Sequence, residues 1–519
     1  MQYEHSRKGN NMIKINHLTI TQNKDLRDLV SDLNINIQDG EKVAIIGEEG
    51  NGKSTLLRTL MGEKLADFSI RGEIQSDLQS LAYIPQHLPG ELKKKSLQDY
   101  FFLESTDLDF SILYRLAEEL HFDSDRFASQ QLIGSLSGGE ALKVQLIHEL
   151  SKPFEVLFLD EPSNDLDLDT VLWLKKQIQR IKETVIFISH DEDFLSQTAD
   201  TIVHLRLVKH RKEAETLVEH LDYDRYSQQS RDHFIKQSQQ AANEQRVHEK
   251  TMEKNRRVKQ QVENALRNTK NSTEGRLLAK KMKNILSQEK RFEKSAQSMT
   301  QQPLEEDRIQ LFFSDVQPLP ASKVLLHFEQ QTLFVEDRQL ADKLKLTVRG
   351  QDKIGIIGPN GIGKSTLLAK IYHLLQDKQE ISLGYMPQNY QEKLPQALSP
   401  VAFLSQTGEK EELQKIQSFL ASLNFSYSEM QHEICNLSGG QQGKLLLLAL
   451  VLQRANFLIL DEPTRNFSPT SQPEIRKLFE DYPGGFITVS HDRRFLKEVC
   501  TSLYRLTTHG LEAVEIGEI

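Results

Sequence analysis

The sequence predicts two α/β domains in tandem, joined by an antiparallel α-helical hairpin. Three observations carry this expectation. A series of five short motifs occurs twice in the same order, an apolar strand-like run precedes the glycine-rich loop that opens each series, and the segment between the two series is basic and nearly free of glycine and proline.

A chain of 519 residues is long enough for two or three domains with separate cores. Its 38% apolar and 27% charged residues are ordinary for a globular protein. No run of about 18 apolar residues occurs, so no membrane span is expected. The amino-terminal MQYEHSRKGNN lacks the apolar stretch of a secretory signal, and ordered structure is expected to begin near Met12. Cys435 and Cys500 are the only cysteines. Two thiols cannot build a disulfide framework, an iron–sulfur site or a four-thiolate zinc site, and they suit a reducing, cytoplasmic setting.

The first series opens with GEEGNGKS at 47–54 and the second with GPNGIGKS at 358–365. Each lies between a strand-like run, Val43 to Ile46 or Ile354 to Ile357, and a helix-like run, STLLRTL or STLLAKI. That is the context of a phosphate-binding P-loop. Then come YIPQ ending at Gln86 and YMPQ ending at Gln388, followed by LSGGE from Leu136 and LSGGQQ from Leu437. VLFLDEP and FLILDEP place Asp160-Glu161 and Asp461-Glu462 after apolar strands, and FISHD and TVSHD close the series with His190 and His491. The step from serine to aspartate is 23 residues in both halves (137 to 160, 438 to 461), and from aspartate to histidine 30 (160 to 190, 461 to 491). Only the step from P-loop lysine to glutamine differs, 33 against 24, so the first module carries an insertion of nine residues there.

The chemistry of these residue types is direct. In Gly47, Glu48, Glu49, Gly50, Asn51, Gly52, Lys53, Ser54 and Thr55, and in Gly358, Pro359, Asn360, Gly361, Ile362, Gly363, Lys364, Ser365 and Thr366, the glycines let backbone N–H groups curl around phosphate. The helix that follows aims its positive end at the same anion. Lys53 and Lys364 are expected to reach the β- and γ-phosphates of ATP, and the Ser54 and Ser365 hydroxyls to reach Mg²⁺. Asp160 and Asp461, fixed at strand ends, are expected to give Mg²⁺ a further contact.

These motifs resemble those of the ATP-binding-cassette ATPases, over both modules, and LSGG(E/Q) is the most specific of them. The resemblance implies that Glu161 and Glu462 polarise the attacking water as general bases. It also implies that Gln86 and Gln388 sense Mg²⁺ and water and that His190 and His491 touch the γ-phosphate. Ser137-Gly138-Gly139 and Ser438-Gly439-Gly440, at expected helix N-termini, would grip the γ-phosphate held by the opposite module. One site would then pair the 47–54 loop with the 437–440 signature, and the other the 358–365 loop with 136–139. Two departures make the halves unequal: the second module reads EPTRNFSP, with Ser468 at the position that is acidic in EPSNDLD of the first, and no adenine-stacking aromatic is evident in the first module, whereas Phe334 is a candidate in the second.

Residues 225–295 hold 18 Lys plus Arg against 8 Asp plus Glu, about +10 in a chain of net charge −9. Val258, Val262 and Leu266 form one apolar stripe, Leu278, Met282, Ile285 and Phe292 another, and NTKNSTEG at 268–275 reads as a turn between two helices. A first arm of about 40 residues would be roughly 60 Å long. The one-signed charge favours a polyanion, RNA phosphate above all, with Arg256, Arg257, Lys259, Lys270, Arg276, Lys280, Lys281 and Lys283 as contacts.

A tandem cassette with a basic helical joint and no membrane domain resembles the ABC-F family. EPTRNFSP and KMKNILSQEKRFEK are similar to segments of its antibiotic-resistance branch. That resemblance implies a ribosome partner (ribosomal RNA and peptidyl-site tRNA), entry at the tRNA exit site, a hairpin placed near the peptidyl-transferase centre, and a monomer whose two cassettes close on each other. The competing readings are the ATPase subunit of a transporter with separate membrane chains, which has no evident use for the basic hairpin, and a DNA-associated clamp, which would need far longer coiled coils. The expected boundaries are 12–215 for the first cassette, 216–305 for the hairpin and 320–517 for the second cassette.

Overall fold

The computed structural model describes residues 11–103, 107–163, 166–208, 213–268, 272–297, 311, 313, 316–335 and 338–518. They fall into two compact units: 225–305, and the two α/β modules together.

Each module is built on a six-stranded sheet of the same order. In the first, the strands run Leu81–Ile84, Val156–Asp160, Thr184–Ile188, Lys42–Ile46, Thr201–Val208 and Glu213–Glu219. In the second they run Leu383–Met386, Phe457–Asp461, Gly485–Val489, Lys353–Ile357, Ser502–Thr507 and Gly510–Val514. The first five strands of each sheet are parallel and the sixth is antiparallel. Runs such as VLFLD and FLILD are buried at every residue, because helices cover both faces of a parallel sheet. Three loops therefore meet at the carboxyl ends of adjacent strands, those after the glycine-loop, aspartate and histidine strands. That crevice is where open α/β sheets bind ligands.

The nine-residue insertion has a structural identity. The first module has a three-stranded antiparallel sheet, in which Phe68–Ser76 adds to Asn11–Gln22 and Arg27–Gln38. The matching sheet of the second module consists, among the described residues, of Val324–Val335 and Arg338–Arg349. Its glycine-loop helix is longer instead, Lys364–Leu375 against Lys53–Leu60.

Two expected boundaries shift. The cut at 215/216 falls inside the strand Glu213–Glu219, which completes the first sheet. The cut at 320 would exclude Leu311, Phe313 and Val316, which are buried in the core of the second module; Phe313 packs edge-on against Tyr482 at 4.7 Å. These apolar side chains pull the chain into that core before the first strand of the module begins.

The hairpin consists of Tyr223–Asn268 and Ser272–Gln297, 46 and 26 residues long. The second helix begins at Ser272, within the eight residues expected to form the turn. Ser, Thr and Glu suit a helical first turn, where Glu274 meets the positive end of the helix. Val262 and Ile285 are buried on the two arms, and Lys259 bridges them with an ion pair to Glu289 at 3.0 Å. Arg256, Arg257, Arg276, Lys280, Lys281 and Lys283 are exposed. Lys259 is therefore spent on the hairpin itself, and Lys270 lies outside the described residues.

Candidate functional site

Each glycine loop ends in a left-handed residue that starts the helix, Gly52 at φ 87° and Gly363 at φ 102°. A Cβ at Gly52 would lie 2.8 Å from Leu29 Cβ, so glycine is required there twice over. Lys53 and Lys364 are buried and fold back over their loops. Lys53 Nζ donates to the carbonyls of Gly47 and Glu48 at 2.9 and 3.0 Å, and Lys364 Nζ to those of Gly358 and Pro359 at 2.8 and 3.1 Å. Burial lowers the pKa of both ammonium groups, against the nearby carboxylates that raise it.

Glu161 and Glu462 share an uncommon backbone, φ 51° and 52°, the left-handed region that side-chain-bearing residues rarely adopt. The adjacent strand holds each in place: Glu161 N–H donates to Ile188 O at 3.0 Å and Glu462 N–H to Val489 O at 2.9 Å. Strain of this kind, repeated at the same position in both halves, aims a carboxylate out of the strand end.

In the first module the Glu161 carboxylate accepts from Gln86 Nε2 at 2.8 Å and lies 3.0 Å from His190 Nε2. His190 Nδ1 lies 3.1 Å from the carbonyl of Phe467, which belongs to the second module. Both neighbours of the ring are acceptor oxygens. Ser54 Oγ donates to Asp160 Oδ1 at 3.2 Å. In the second module Glu462 accepts from the backbone N–H of His491 at 3.1 Å, and its carboxylate is 3.4 Å from His491 Nε2. Burial drives the carboxyl pKa values up, Asp160 and Asp461 to about 6 and Glu462 to about 7, and drives His491 down to about 4.

These oxygens suit a hard divalent cation. Asp461 Oδ1 is buried without a hydrogen-bond partner, and the serine–aspartate pair offers oxygen ligands only. Among the described residues no three His, Cys, Asp or Glu side chains converge. Mg²⁺ does not need them, because it keeps waters and phosphate oxygens in its shell.

A cleft of about 580 Å³ opens beside the first loop, lined by Gly50, Gly52, Lys53, Ser54, Thr55, Gln86, Glu161 and His190, with Arg465 and Asn466 from the second module. Gln388, expected beside the second loop, lines this cleft as well. So do Arg27 and Phe68, which the sequence did not single out. Phe68 sits on the inserted strand, opposite Gln22, where no motif marks it. Phe334, the candidate of the second module, is 54% exposed and pairs with Gln339.

The signature helices Gly138–Leu150 and Gly439–Leu452 both start with a capping box, Ser137 with Glu140 and Ser438 with Gln441. The second signature meets the first loop: Gly440 N–H donates to Glu49 Oε2 at 2.9 Å, and Lys444 Nζ lies 2.7 Å from Glu48 Oε1. Around the second loop, Asp167 of the first module is a charge that acts on Lys364 and His491. Ser468, at the matching position, is neutral and bonds to Ser471 Oγ at 2.8 Å. More contacts tie the modules together. Gln472 Nε2 donates to His190 O at 2.7 Å, Arg476 pairs with Glu192 at 2.6 Å, and Arg493 pairs with Asp193 at 3.2 Å.

Comparison with known proteins gives this geometry a family. The family model described as "ABC transporter" matches residues 30–164 and 341–465, one stretch in each module. The chain is 28% identical over 531 residues to the "Probable ATP-binding protein YheS" of Escherichia coli K12, covering 94% of this chain and 78% of that protein. It is 29% identical over 500 residues to the "Ribosome protection protein VmlR" of Bacillus subtilis 168, covering 92% and 84%. The archaeal ribosome recycling factor aABCE1, solved in complex with the ribosomal stalk protein aP1, shares the fold with a TM-score of 0.62 at 16% identity, over 97% of this chain and 91% of that one. Among the described residues no helix is long and apolar enough to cross a membrane. With two matched ATP-binding domains and relatives that span nearly its whole length, the chain belongs to the ABC transporter family, as a tandem ATPase of the ABC-F type.

Proposed function

We propose that the chain is a cytoplasmic, ribosome-binding translation factor. Its two cassettes close on ATP, and its hairpin reaches the ribosome through the tRNA exit site to lie near the peptidyl-site tRNA and the peptidyl-transferase centre. Antibiotic resistance by ribosomal protection is the role we assign to it. The observation that carries this reading is the concentration of exposed positive charge on the hairpin, in a chain whose remainder is about −19. The likeness to VmlR, named a ribosome protection protein, supports the resistance role.

We assign the two ATP sites as composites of one module's P-loop and the other's signature. Bound Mg²⁺ would neutralise phosphate charge and orient the β- and γ-oxygens. Ser54 with Asp160, and Ser365 with Asp461, would hold it, with Gln86 and Gln388 beside them. Lys53 and Lys364 would turn from their loop carbonyls to the phosphates. Glu161 and Glu462 would each take a proton from the attacking water, while His190 and His491 orient the carboxylate and contact the γ-phosphate.

The test is sedimentation of the Glu161→Gln/Glu462→Gln chain with ATP. Retention on ribosomes is expected, and recovery in membranes alone would overturn the reading in favour of a transporter subunit. Expression in a sensitive bacterium is expected to raise resistance to lincosamides, pleuromutilins or streptogramin A; unchanged susceptibility would remove the protection role and leave a housekeeping factor.

A further inference from the structure

The first glycine loop carries two carboxylates where the second carries none: Glu48 and Glu49 stand where Pro359 and Asn360 stand. Phosphate cradling uses backbone N–H groups and a lysine, so two extra negative charges in that loop call for another explanation. Both side chains reach the second module. Glu48 meets Lys444 at 2.7 Å, with the two side chains only 10% and 4% exposed. Lys143, which matches Lys444 in the first signature helix, donates to Leu120 O at 3.1 Å within its own module.

Glu49 goes further. Its Oε2 accepts the Gly440 N–H at 2.9 Å, and a Cβ on Gly439 would lie 2.7 Å from the same oxygen. The carboxylate thus rests on the first turn of the signature helix, where unspent N–H donors and the positive helix end favour an anion. In a composite site that seat belongs to the terminal phosphate of the nucleotide. A carboxylate and a phosphate cannot both occupy it.

We propose that Glu49 holds the γ-phosphate seat of the first site until ATP displaces it, while the buried Glu48–Lys444 pair keeps the first loop docked on the second signature. The inference rests on the composite-site reading above. When ATP arrives, the Gly440 N–H exchanges one anion for another, so ATP binds this site against an internal competitor. ADP has no γ-phosphate and meets no such competition. The second site, with Pro359 and Asn360, binds ATP without displacing a carboxylate from its loop. The first site is then the tether of the clamp and the second its gate.

The test uses the full chain in the Glu161→Gln/Glu462→Gln background, which blocks hydrolysis, and titrates it with Mg-ATP and separately with Mg-ADP by calorimetry. Glu49→Gln keeps the shape and removes the charge, and Glu49→Asn installs the residue of the second loop. Both are expected to tighten ATP at one of the two sites by about tenfold, the worth of a charge-assisted hydrogen bond held by the competitor. ADP binding is expected to stay unchanged. Equal tightening of ATP and ADP would overturn the proposal, since it would show only a general repulsion by Glu49. Unchanged ATP affinity in both variants, with an unchanged melting temperature, would overturn it as well. A parent chain that binds neither nucleotide would overturn the composite-site reading itself, and this inference with it.

Discussion

The two ATP sites share one scaffold and differ in where their charges come from. Sheet order, left-handed glutamates, loop lysines and capped signature helices are the same in both. The first site draws two carboxylates from its own loop and faces the neutral Ser468, whereas the second has Pro359 and Asn360 in its loop and faces Asp167. Duplicated backbones have been kept where geometry matters, and side chains have diverged where the halves meet. The lesson is that asymmetry in such a pair lies in the interface and not in the catalytic strand ends.

The comparison is most sharply broken by removing each of the proposed general bases, Glu161 and Glu462, in turn. Glu462→Gln is expected to abolish most phosphate release, a loss of about 10²–10⁴-fold in the turnover of its site. If the first site is the tether proposed above, Glu161→Gln should cost less of the total. Equal losses would make the two sites kinetic equals and the charge asymmetry silent.

The next largest effect concerns the buried pair. Lys444→Met removes the buried ion-pair partner of Glu48, and is expected to destabilise the chain by about 3–5 kcal/mol in denaturant unfolding. Lys143→Met, at the matching but only half-buried position, should cost far less. Glu48→Gln combined with Lys444→Met should recover part of the loss.

A pH profile sharpens the comparison from the other side. With Glu161 replaced by Gln, kcat/KM for ATP reports Glu462 and is expected to rise as the pH passes through about 7, because a general base works only when deprotonated. The stability sign runs the opposite way. A carboxyl raised by burial contributes stability that is full below its unfolded pKa and is lost as the pH climbs through about 7. A flat profile would mean that Glu462 does not limit the second site.

The smallest effect distinguishes residues of the hairpin. Reversing Lys280 and Lys281, both exposed, should weaken ribosome binding and reduce its salt dependence. Replacing Lys259, which is paired with Glu289, should change the melting of the hairpin more than its binding.

Motif order and spacing carry most of this fold, since a glycine loop, a strand-end aspartate and a capped serine each name their own backbone. The Asp-Glu pairs and histidines lie at or just past strand ends, and the P-loop lysines open the helices after the glycine loops, as the motifs predict. Phe68 and Arg27 escaped because their place beside the cleft is set by strand pairing, each opposite Gln22, and carries no local pattern. The tie of Glu48 to Lys444 escaped for a similar reason: it joins residues 396 apart, across a distance no spacing rule covers. The start of the second helix is not legible in the sequence because Ser272 and Thr273 suit a loop and a helix start equally well.

One contact between the modules has a bearing on assembly. The helix after the first histidine begins Glu192-Asp193, and its counterpart begins Arg493-Arg494; the two sets face each other as acid against base. If two chains exchanged partners, first module on first, carboxylates would confront carboxylates, and second on second would set guanidinium against guanidinium. The charges therefore favour contact between unlike modules over contact between like ones. A charge swap at these four positions is expected to preserve that choice, whereas neutralising one pair alone is expected to weaken it, as a shift in the melting temperature of the paired modules would show.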